Sequence, residues 1–416
     1  MTKTTFLTES EARQLMQEHG SPLYVYNEQI IRDRVNAFQH AFRGWSKTQL
    51  LYACKANSNP HILQILREEG AWLDCVSPYE VELGLLAGFS PEHIMFTVNN
   101  MTDEDMHFAV QKGVLLNIDA LSRLENFGKA YPGSRVCIRL TPGVVGGHHE
   151  KVQTGVKETK FGILIDDIPR ALAIAQQYGL RIIGLHEHTG SGSVLSKLIQ
   201  SMKNIMSAAY LFPDLEFLDF GGGFKIPYQE NEERLDLEAF GQEIVPLFRQ
   251  FCETYGRELG LYFEPGRYFV AEAGVLLSTV NTIKERDNQT MIGIDTGFNH
   301  LMRPVMYGSY HHISNLSNPS GVDREYTIAG NLCESGDVFA RQRFLPLVQE
   351  GNVIAIHDVG AYGMSMASNY NSRPLPPELL LTLNGGVQVI RRRQTFADII
   401  GQFAIVQPEQ EEQVQE

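Results

Sequence analysis

Short apolar runs alternate with helical patterns between about residues 49 and 270. Eight of these runs predict buried strands: QLLYAC, AWLDCVS, HIMFTV, VLLNID, RVCIRL, LRIIGLHEH, LEFLDF and LGLYFEPGR. The segments between them, such as HILQILREEG and DIPRALAIAQQYG, have the apolar spacing of amphipathic helices. Regular alternation favours a parallel sheet, and eight units favour an α/β fold with a closed (β/α)8 TIM-like barrel. A doubly wound open sheet is the alternative, although no GxGxxG motif follows the first strand.

The pattern changes after about residue 270. Strand-like runs such as GVLLSTVNTI, TMIGIDTG and NVIAIHD follow one another there with few helical patterns between them. We therefore predict two domains, a barrel over residues 26–270 and a mostly-β domain over residues 271–416. The polar, acidic tail from about residue 407 has the composition of a disordered segment.

Charge and composition argue against several functional classes. The chain of 416 residues has a formal net charge of -14 and a pI of about 5.4, which disfavours nucleic acid or an anionic membrane as its partner. No apolar run approaches the roughly 20 residues of a membrane span, and the first residues lack the apolar core of a signal peptide. The cysteines are scattered and form no CxxC pair, so we expect neither a disulfide framework nor a zinc site, and a cytoplasmic location.

One lysine stands at the end of a predicted buried strand. Residues 50–54 form an apolar run, Lys55 follows directly, and a polar turn separates it from the next helical pattern. Barrels place catalytic groups at the carboxyl ends of their strands. Burial beside apolar walls is expected to lower the pKa of Lys55 and free its amine to form Schiff bases with carbonyl compounds such as pyridoxal 5'-phosphate (PLP). The alternative is a solvated lysine that ends a strand.

Other predicted strand ends carry the groups that a phosphorylated pyridine cofactor needs. A glycine-rich turn lets backbone N–H groups approach phosphate oxygens, a histidine ring can stack on a pyridine, and a carboxylate can keep the pyridine nitrogen protonated. The candidates are His188 and Ser191 in HEHTGSGS, Gly221, Gly222 and Gly223 in DFGGGF, and Glu264, Gly266 and Arg267 in FEPGR. The alternatives are a tight turn, a core histidine and an internal Glu–Arg pair. Strand alternation points His186 to the same side as His188, so spacing does not choose between them.

Polar loops of the second domain are candidate binding segments. They are LCESGDVF, with Cys333 and Glu334, FNHLMRPVMYGSYHH, with Arg303 and Tyr307, and GAYGMSMASNYNSRP, with Tyr362. Ordinary turns are the alternative for each. A metal site at His148, His149 and Glu150 is also conceivable, but no further ligand is placed near them, so we predict no metal.

The motifs ACKAN, HEHTGSGS, DFGGGF, FEPGR, LCESGDVF and GAYGMSMASNYNSRP occur in one fixed order. Together they resemble the barrel-type PLP-dependent decarboxylases related to alanine racemase, and among these the diaminopimelate decarboxylases. The resemblance runs from residue 22 to about residue 399. It implies an alanine racemase-like barrel, a β domain to which residues 1–25 also contribute, and a homodimer with shared active sites.

The resemblance also implies roles for single residues. Lys55 would carry PLP, His188 would stack on its ring and Glu264 would bond the ring nitrogen. Cys333 would be the proton donor, supplied by the partner subunit. Residues implied around the cofactor phosphate or the substrate are Ser191, Gly221, Gly222, Gly223, Gly266, Arg267, Arg303, Tyr307, Glu334 and Tyr362. Four positions depart from the family pattern, namely Glu187, Thr189, Phe220 and Phe224, and they affect cofactor packing more than the reaction.

The implied reaction converts meso-2,6-diaminopimelate to L-lysine and CO2, the last step of lysine biosynthesis, with a small amino acid as the substrate. A related decarboxylase of ornithine, arginine or a carboxylated polyamine is the nearest alternative. Arg303 favours diaminopimelate, because only that substrate has a distal carboxylate. An amino-acid racemase and a non-catalytic PLP-binding protein are further alternatives, and the β domain with its CESGD motif argues against the latter.

Overall fold

The computed structural model describes residues 5–141, 143, 160–190, 195–287, 289–401 and 403. Its helices are α1 (Glu9–His19), α2 (Glu28–Ala41), α3 (Pro60–Glu68), α4 (Pro78–Leu86), α5 (Asp103–Lys112), α6 (Leu121–Ala130), α7 (Ile168–Tyr178), α8 (Leu195–Ala209), α9 (Leu237–Tyr255), α10 (Arg267–Val270), α11 (Arg303–Tyr307) and α12 (Phe396–Ile400). Its strands are β1 (Leu23–Asn27), β2 (Thr48–Ala53), β3 (Trp72–Cys75), β4 (Ile94–Thr97), β5 (Leu115–Ile118), β6 (Arg135–Thr141), β7 (Ile163–Leu164), β8 (Arg181–His186), β9 (Phe217–Asp219), β10 (Gly260–Phe263), β11 (Gly274–Arg286), β12 (Gln289–Ile294), β13 (Ile313–Asn315), β14 (Asp323–Ala329), β15 (Val338–Pro346), β16 (Val353–Ile356), β17 (Glu378–Leu381) and β18 (Val387–Arg391).

Strands β2 to β6 and β8 to β10 form a parallel barrel. Their order is β5-β4-β3-β2-β10-β9-β8-β6, and β6 pairs with β5, so the sheet closes on itself. The short β7 pairs with β6 beside this ring. The predicted (β/α)8 barrel is therefore confirmed. Two helices of the barrel begin at favourable N-terminal sequences. The side chains of Asn59 and Ser77 cap α3 and α4, and each of these helices has proline in its first turn.

A second, mixed sheet is built from the chain after the barrel and from β1. Strand β1 lies between β11, to which it is antiparallel, and β17, to which it is parallel. Two tyrosines of β1 fix it there: the Tyr24 hydroxyl donates to the backbone oxygen of His300, and the Tyr26 hydroxyl donates to Glu378, each at 2.6 Å. Within the described residues, no helix is both long and apolar enough to cross a bilayer.

The β domain reaches the mouth of the barrel through backbone contacts beside Lys55. The N–H of Tyr362 donates to the carbonyl oxygen of Ala56 at 2.8 Å, and the amide of Asn57 donates to the carbonyl oxygen of Gly360 at 3.1 Å. A side chain at Gly360 would lie 1.8 Å from the backbone oxygen of Val270, so this approach requires glycine. These contacts bring side chains from both domains into one cavity.

Candidate active site

A cavity of about 330 Å³ lies at the carboxyl ends of the barrel strands, where the β domain meets them. It combines lysine, histidine, acidic and arginine side chains with a few apolar ones. Its lining residues are Lys55, Asp74, Val76, Thr97, Asn99, Arg139, Lys160, Phe161, His186, His188, Glu264, Arg267, Arg303, Tyr307, Tyr362 and Met366.

Lys55 follows β2 in a short 3-10 turn and points to a buried carboxylate. Its Nζ lies 3.2 Å from Oδ2 of Asp74, whose side chain is 1 % exposed, whereas the lysine side chain is open to the cavity. Burial lowers the pKa of Lys55, but the charges of Asp74 and Glu264 outweigh this effect, so the pKa lies above its ordinary value. The prediction of a lowered lysine pKa is wrong for this arrangement, because apolar walls were expected where two carboxylates stand.

Glu264 and His186 form a second buried pair. Oε2 of Glu264 lies 3.1 Å from Nε2 of His186, and both side chains are almost fully buried. Burial lowers the pKa of His186 well below its ordinary value, so the ring is neutral and only one of its two nitrogens carries a proton. Burial raises the pKa of Glu264 to about 7, against the opposing charges of Lys55 and Arg139. Oε1 of Glu264 has no hydrogen-bond partner among the described residues.

His188 lies beside the triple-glycine turn. Its Nδ1 accepts a bond from the N–H of Gly222 at 3.0 Å, and burial lowers the pKa of its ring well below the ordinary value. Gly221 and Gly223 have φ angles of +63° and +107°, and a side chain at Gly222 would lie 2.5 Å from the backbone oxygen of Glu264. The turn therefore has to be glycine. Ser191 lies outside the described residues, as do His148, His149 and Glu150.

Two arginines and two tyrosines form the side of the cavity nearest the β domain. Arg303, the first residue of α11, is 2 % exposed, and Tyr307 is the last residue of the same helix. The guanidinium carbon of Arg267 lies 5.2 Å from the ring centre of Tyr362, whose φ is +57°. Gly266 packs against Ala53, since a Cβ there would lie 3.1 Å from the Ala53 side chain. The structure thus brings nearly all of the described candidate residues together.

Comparisons with known proteins show which family the chain resembles. The sequence model of one protein family, described as the pyridoxal-binding domain of the pyridoxal-dependent decarboxylases, matches residues 28–271. The diaminopimelate decarboxylase of Methanothermobacter thermautotrophicus is 43% identical, over 94% of this chain and 93% of that protein. The diaminopimelate decarboxylase of Escherichia coli K12 is 38% identical, over 95% of this chain and 97% of that protein. The Helicobacter pylori diaminopimelate decarboxylase structure, complexed with L-lysine, is 32% identical, with a TM-score of 0.87 over 94% of this chain and 98% of that one.

The chain belongs to the diaminopimelate decarboxylase family. It is a PLP-dependent decarboxylase by this membership, and its residues fit that cofactor. Oε1 of Glu264 is a buried acceptor that has no described partner, as a bond from the pyridine nitrogen requires. A Cβ at any of the three glycines of the turn would lie within 2.8 Å of a neighbouring backbone oxygen, so only glycine lets the backbone come this close to the cavity and to a bound phosphate. Lys55 opens into the same cavity.

Two candidate residues of this decarboxylase lie away from the cavity. Cys333 and Glu334 are exposed, and neither lines the cavity that contains Lys55. Their loop is ordered by Asp337, whose carboxylate accepts bonds from the N–H groups of Leu332 and Phe298 at 2.8 and 2.7 Å. The N–H of Cys333 also donates to Asn371 at 2.8 Å. One chain alone therefore does not place Cys333 beside Lys55.

Sequence reasoning missed several residues of the site. Arg139 is buried at the end of β6, with its guanidinium carbon 4.5 Å from the ring centre of Phe161. Its place at the carboxyl end of a predicted strand is a signal that could have found it. Lys160 and Phe161 lie within the long loop that the sequence predicts over residues 141–162, and Tyr228 and His311 contact the arginines from separate loops. His311 belongs to the candidate segment FNHLMRPVMYGSYHH, but nothing in the local sequence marks Lys160, Phe161 or Tyr228.

Two groups of residues, buried except for the half-buried Glu80, also have the chemistry to hold a metal ion. Cys54, Cys75 and Glu80 form one, and His186, Asp219 and Glu264 form the other, with ligand atoms within 4.8 Å of one another in each. The second includes the carboxylate that faces the cavity. Burial raises the pKa of Asp219 well above its ordinary value, which disfavours the ionised form that a metal ligand requires.

Proposed function

We propose that this decarboxylase converts meso-2,6-diaminopimelate to L-lysine and CO2. The observation that carries the substrate assignment is Arg303. Its guanidinium is buried in the cavity of Lys55, and its hydrogen-bond partners are the neutral side chains of Tyr228, His311 and Ser309. The described residues provide no carboxylate partner for it. A buried charge with neutral partners only is strongly stabilised by a bound anion, and diaminopimelate has a carboxylate at the end that does not react.

The proposed roles around the cofactor follow the positions in the cavity. Lys55 would hold the aldehyde of PLP, His188 would stack on its ring and Glu264 would accept the bond of the ring nitrogen. The glycine turn, Gly266 and Ser191 would hold the phosphate, and Arg267 and Tyr362 would contact the phosphate or the adjoining substrate. When bound, PLP supplies the electron sink for the pair left by the departing carboxylate. Glu264 supports that role, because a carboxylate beside the nitrogen keeps it protonated.

We also propose a homodimer in which Cys333 and Glu334 complete the active site of the partner. In support, both residues are exposed in a loop that Asp337 and Asn371 hold in shape, and neither lines the cavity of its own chain. Cys333 would protonate the carbon that loses CO2. A thiol with this task has to remain reduced, which supports a cytoplasmic location; cell fractionation followed by immunodetection of the protein tests it.

The substrate assignment is tested by kcat/KM of Arg303→Ala and Arg303→Lys with meso-diaminopimelate and L-ornithine. Removing a buried charge-assisted pair costs about 3–5 kcal/mol, so Arg303→Ala should lose roughly a hundredfold or more with diaminopimelate. Lysine cannot reproduce the two-bonded fork, so Arg303→Lys should recover only part of this loss. Arg257→Ala, at an exposed site, is the control. A wild type that decarboxylates ornithine as well as diaminopimelate would contradict the assignment.

The shared active site is tested by mixing two inactive variants. Lys55→Ala removes the cofactor-holding amine, and Cys333→Ala removes the proposed proton donor. A hybrid dimer contains one site in which both residues are intact, so the mixture should regain part of the wild-type activity. If labelled subunits exchange and no activity returns, the two residues do not act across an interface.

A further inference from the structure

Tyr228 lies behind the two arginines of the cavity. It belongs to the segment between β9 and α9, and its side chain lines a neighbouring cavity of about 280 Å³ rather than the one that contains Lys55. Arg267, Arg303 and Tyr307 line both cavities, so they separate one from the other. Tyr228 thus contacts the substrate cavity only through its neighbours.

The hydroxyl of Tyr228 joins the two guanidinium groups. Nη1 of Arg267 lies 2.8 Å from it, and Nη1 of Arg303 lies 2.9 Å from it. Since a guanidinium can only donate, the hydroxyl oxygen accepts both bonds. Both guanidinium carbons also lie over the tyrosine ring, at 5.5 Å for Arg267 and 4.6 Å for Arg303. One side chain therefore contacts two like charges at once.

The remaining contacts of Arg303 give it a fixed orientation. Its Nη1 also donates to Nε2 of His311 at 2.9 Å, which requires that ring nitrogen to be an acceptor. The other ring nitrogen of His311 then carries the proton and donates to the backbone oxygen of His357 at 2.8 Å. His311 and Ser309 accept hydrogen bonds from Arg303, whereas the hydroxyl of Tyr228 accepts hydrogen bonds from both arginines.

We propose that the hydroxyl of Tyr228 is a positioning group that holds Arg267 and Arg303 as one pair for the distal carboxylate of the substrate. This inference rests on the proposed function. Tyr228 does not touch the reacting carbon or Lys55, so its hydroxyl affects how tightly a distal carboxylate binds rather than the rate of the chemical step.

The test is Tyr228→Phe in the PLP-loaded enzyme, which removes the hydroxyl and keeps the ring under both guanidinium groups. Hydrogen bonds to charged groups are strong enough that the KM for meso-diaminopimelate should rise about tenfold, with kcat changed less than about threefold. Calorimetry with pimelate, an unreactive dicarboxylate, should show a similar fall in affinity. Binding of heptanoate, which has one carboxylate, should change much less.

Tyr310→Phe is the matched control, because Tyr310 lines the same neighbouring cavity and lies under Arg343 instead, at 4.1 Å. It should leave pimelate binding and both kinetic constants unchanged. Unchanged pimelate affinity in Tyr228→Phe would overturn the inference, and so would equal losses in kcat, pimelate affinity and Tm, which indicate a structural role. A wild type that neither turns over diaminopimelate nor prefers pimelate to heptanoate would instead overturn the proposed function.

Discussion

The two ends of the barrel contain cavities of opposite character, although the same strands build both. At the amino ends of the strands a cavity of about 490 Å³ is lined mainly by apolar side chains, with Leu51, Ile183 and Tyr262 among them. At the carboxyl ends, the smaller cavity contains Lys55, which follows β2, and Glu264, which follows β10. Of these two cavities, the larger is therefore not the one that contains the candidate active-site residues.

The difference lies in the polar groups. At the amino end, Arg135 and Glu216 bond to each other, and Phe217 stacks on Tyr262 with ring centres 4.5 Å apart. At the carboxyl end, Oδ1 of Asp74 and Oε1 of Glu264 are buried without a described partner. Such groups destabilise a fold by about 1–3 kcal/mol each, so their presence indicates a ligand-binding role. The amino end serves stability and the carboxyl end serves chemistry.

The largest effect should come from Lys55→Ala. It removes the amine that holds the cofactor, so turnover should fall below roughly one ten-thousandth of wild type. The structure places a second lysine, Lys160, in the same cavity. Borohydride reduction of the PLP-loaded protein and peptide mapping should label Lys55, and Lys160→Ala should keep that label. Labelling of Lys160 in the wild type would refute the assignment of Lys55.

The next effect concerns Glu264→Gln. An amide holds the ring nitrogen protonated far less well than a carboxylate, so kcat should fall roughly 10²- to 10³-fold, as for the loss of one preorganised electrostatic group. Cofactor affinity should change much less, since the other contacts remain. Asp219→Asn alters a nearby buried carboxyl that does not line the cavity, and it should spare kcat. Comparable losses in kcat and PLP affinity would show that Glu264 is structural.

At the opposite end, Phe217→Ala should separate stability from activity. Phe217 is 4% exposed and stacks on Tyr262, so its truncation should lower the free energy of unfolding by about 3–5 kcal/mol. The kcat/KM of the folded enzyme should stay near wild type. Phe344→Ala is the control, because that side chain is 63% exposed. A large loss of kcat/KM in Phe217→Ala at a temperature where it is folded would break the distinction between the two ends.

Most of the barrel could be predicted from the sequence because its strands are buried on both faces and its helices alternate with them. Helix α2 was missed, although it has a clear signal. Asn27 caps it, and the buried Ile31, Val35 and Phe38 recur at intervals of four and three residues. The apolar run of β1 precedes it directly, so no turn marks the boundary.

The candidate site was predicted where chemistry and strand ends coincide, as at Lys55 and Glu264. It was missed where contacts come from loops far apart in sequence, as at Tyr228, because no local pattern reports such a contact. The choice between His186 and His188 also needed the structure, which shows that His186 bonds Glu264 and that His188 lies at the glycine turn. Both rings line the cavity, as strand alternation predicts, but alternation alone does not show which neighbours each ring has.

The smallest effect concerns Glu187, one of the four positions that depart from the family pattern. It lies at the carboxyl end of barrel strand β8, but its side chain does not line the cavity of Lys55. Its side chain is fully buried, and neither carboxylate oxygen has a hydrogen-bond partner among the described residues. Burial raises the pKa of Glu187 to about 8, and the positive charge of Arg139 opposes this shift only in part. The group is therefore protonated in the folded protein near neutral pH and ionised in the unfolded chain, where its pKa is about 4.3.

The sign of the pH dependence follows from this difference. Between the unfolded and folded pKa values the folded state binds one more proton, so the free energy of unfolding falls as pH rises and levels off above about 8. Glu187→Gln keeps the shape and removes the titration. The Tm of Glu187→Gln minus the Tm of wild type should therefore increase from pH 5.5 to pH 8. The increase should be a few degrees if the variant avoids a loss of about 1–2 kcal/mol in the free energy of unfolding. Glu253→Gln, on the exposed face of α9, should show no such trend. A constant Tm difference between wild type and Glu187→Gln across this range would mean that Glu187 is ionised in the folded protein, and the carboxyl end would then contain one more charge than its contacts explain.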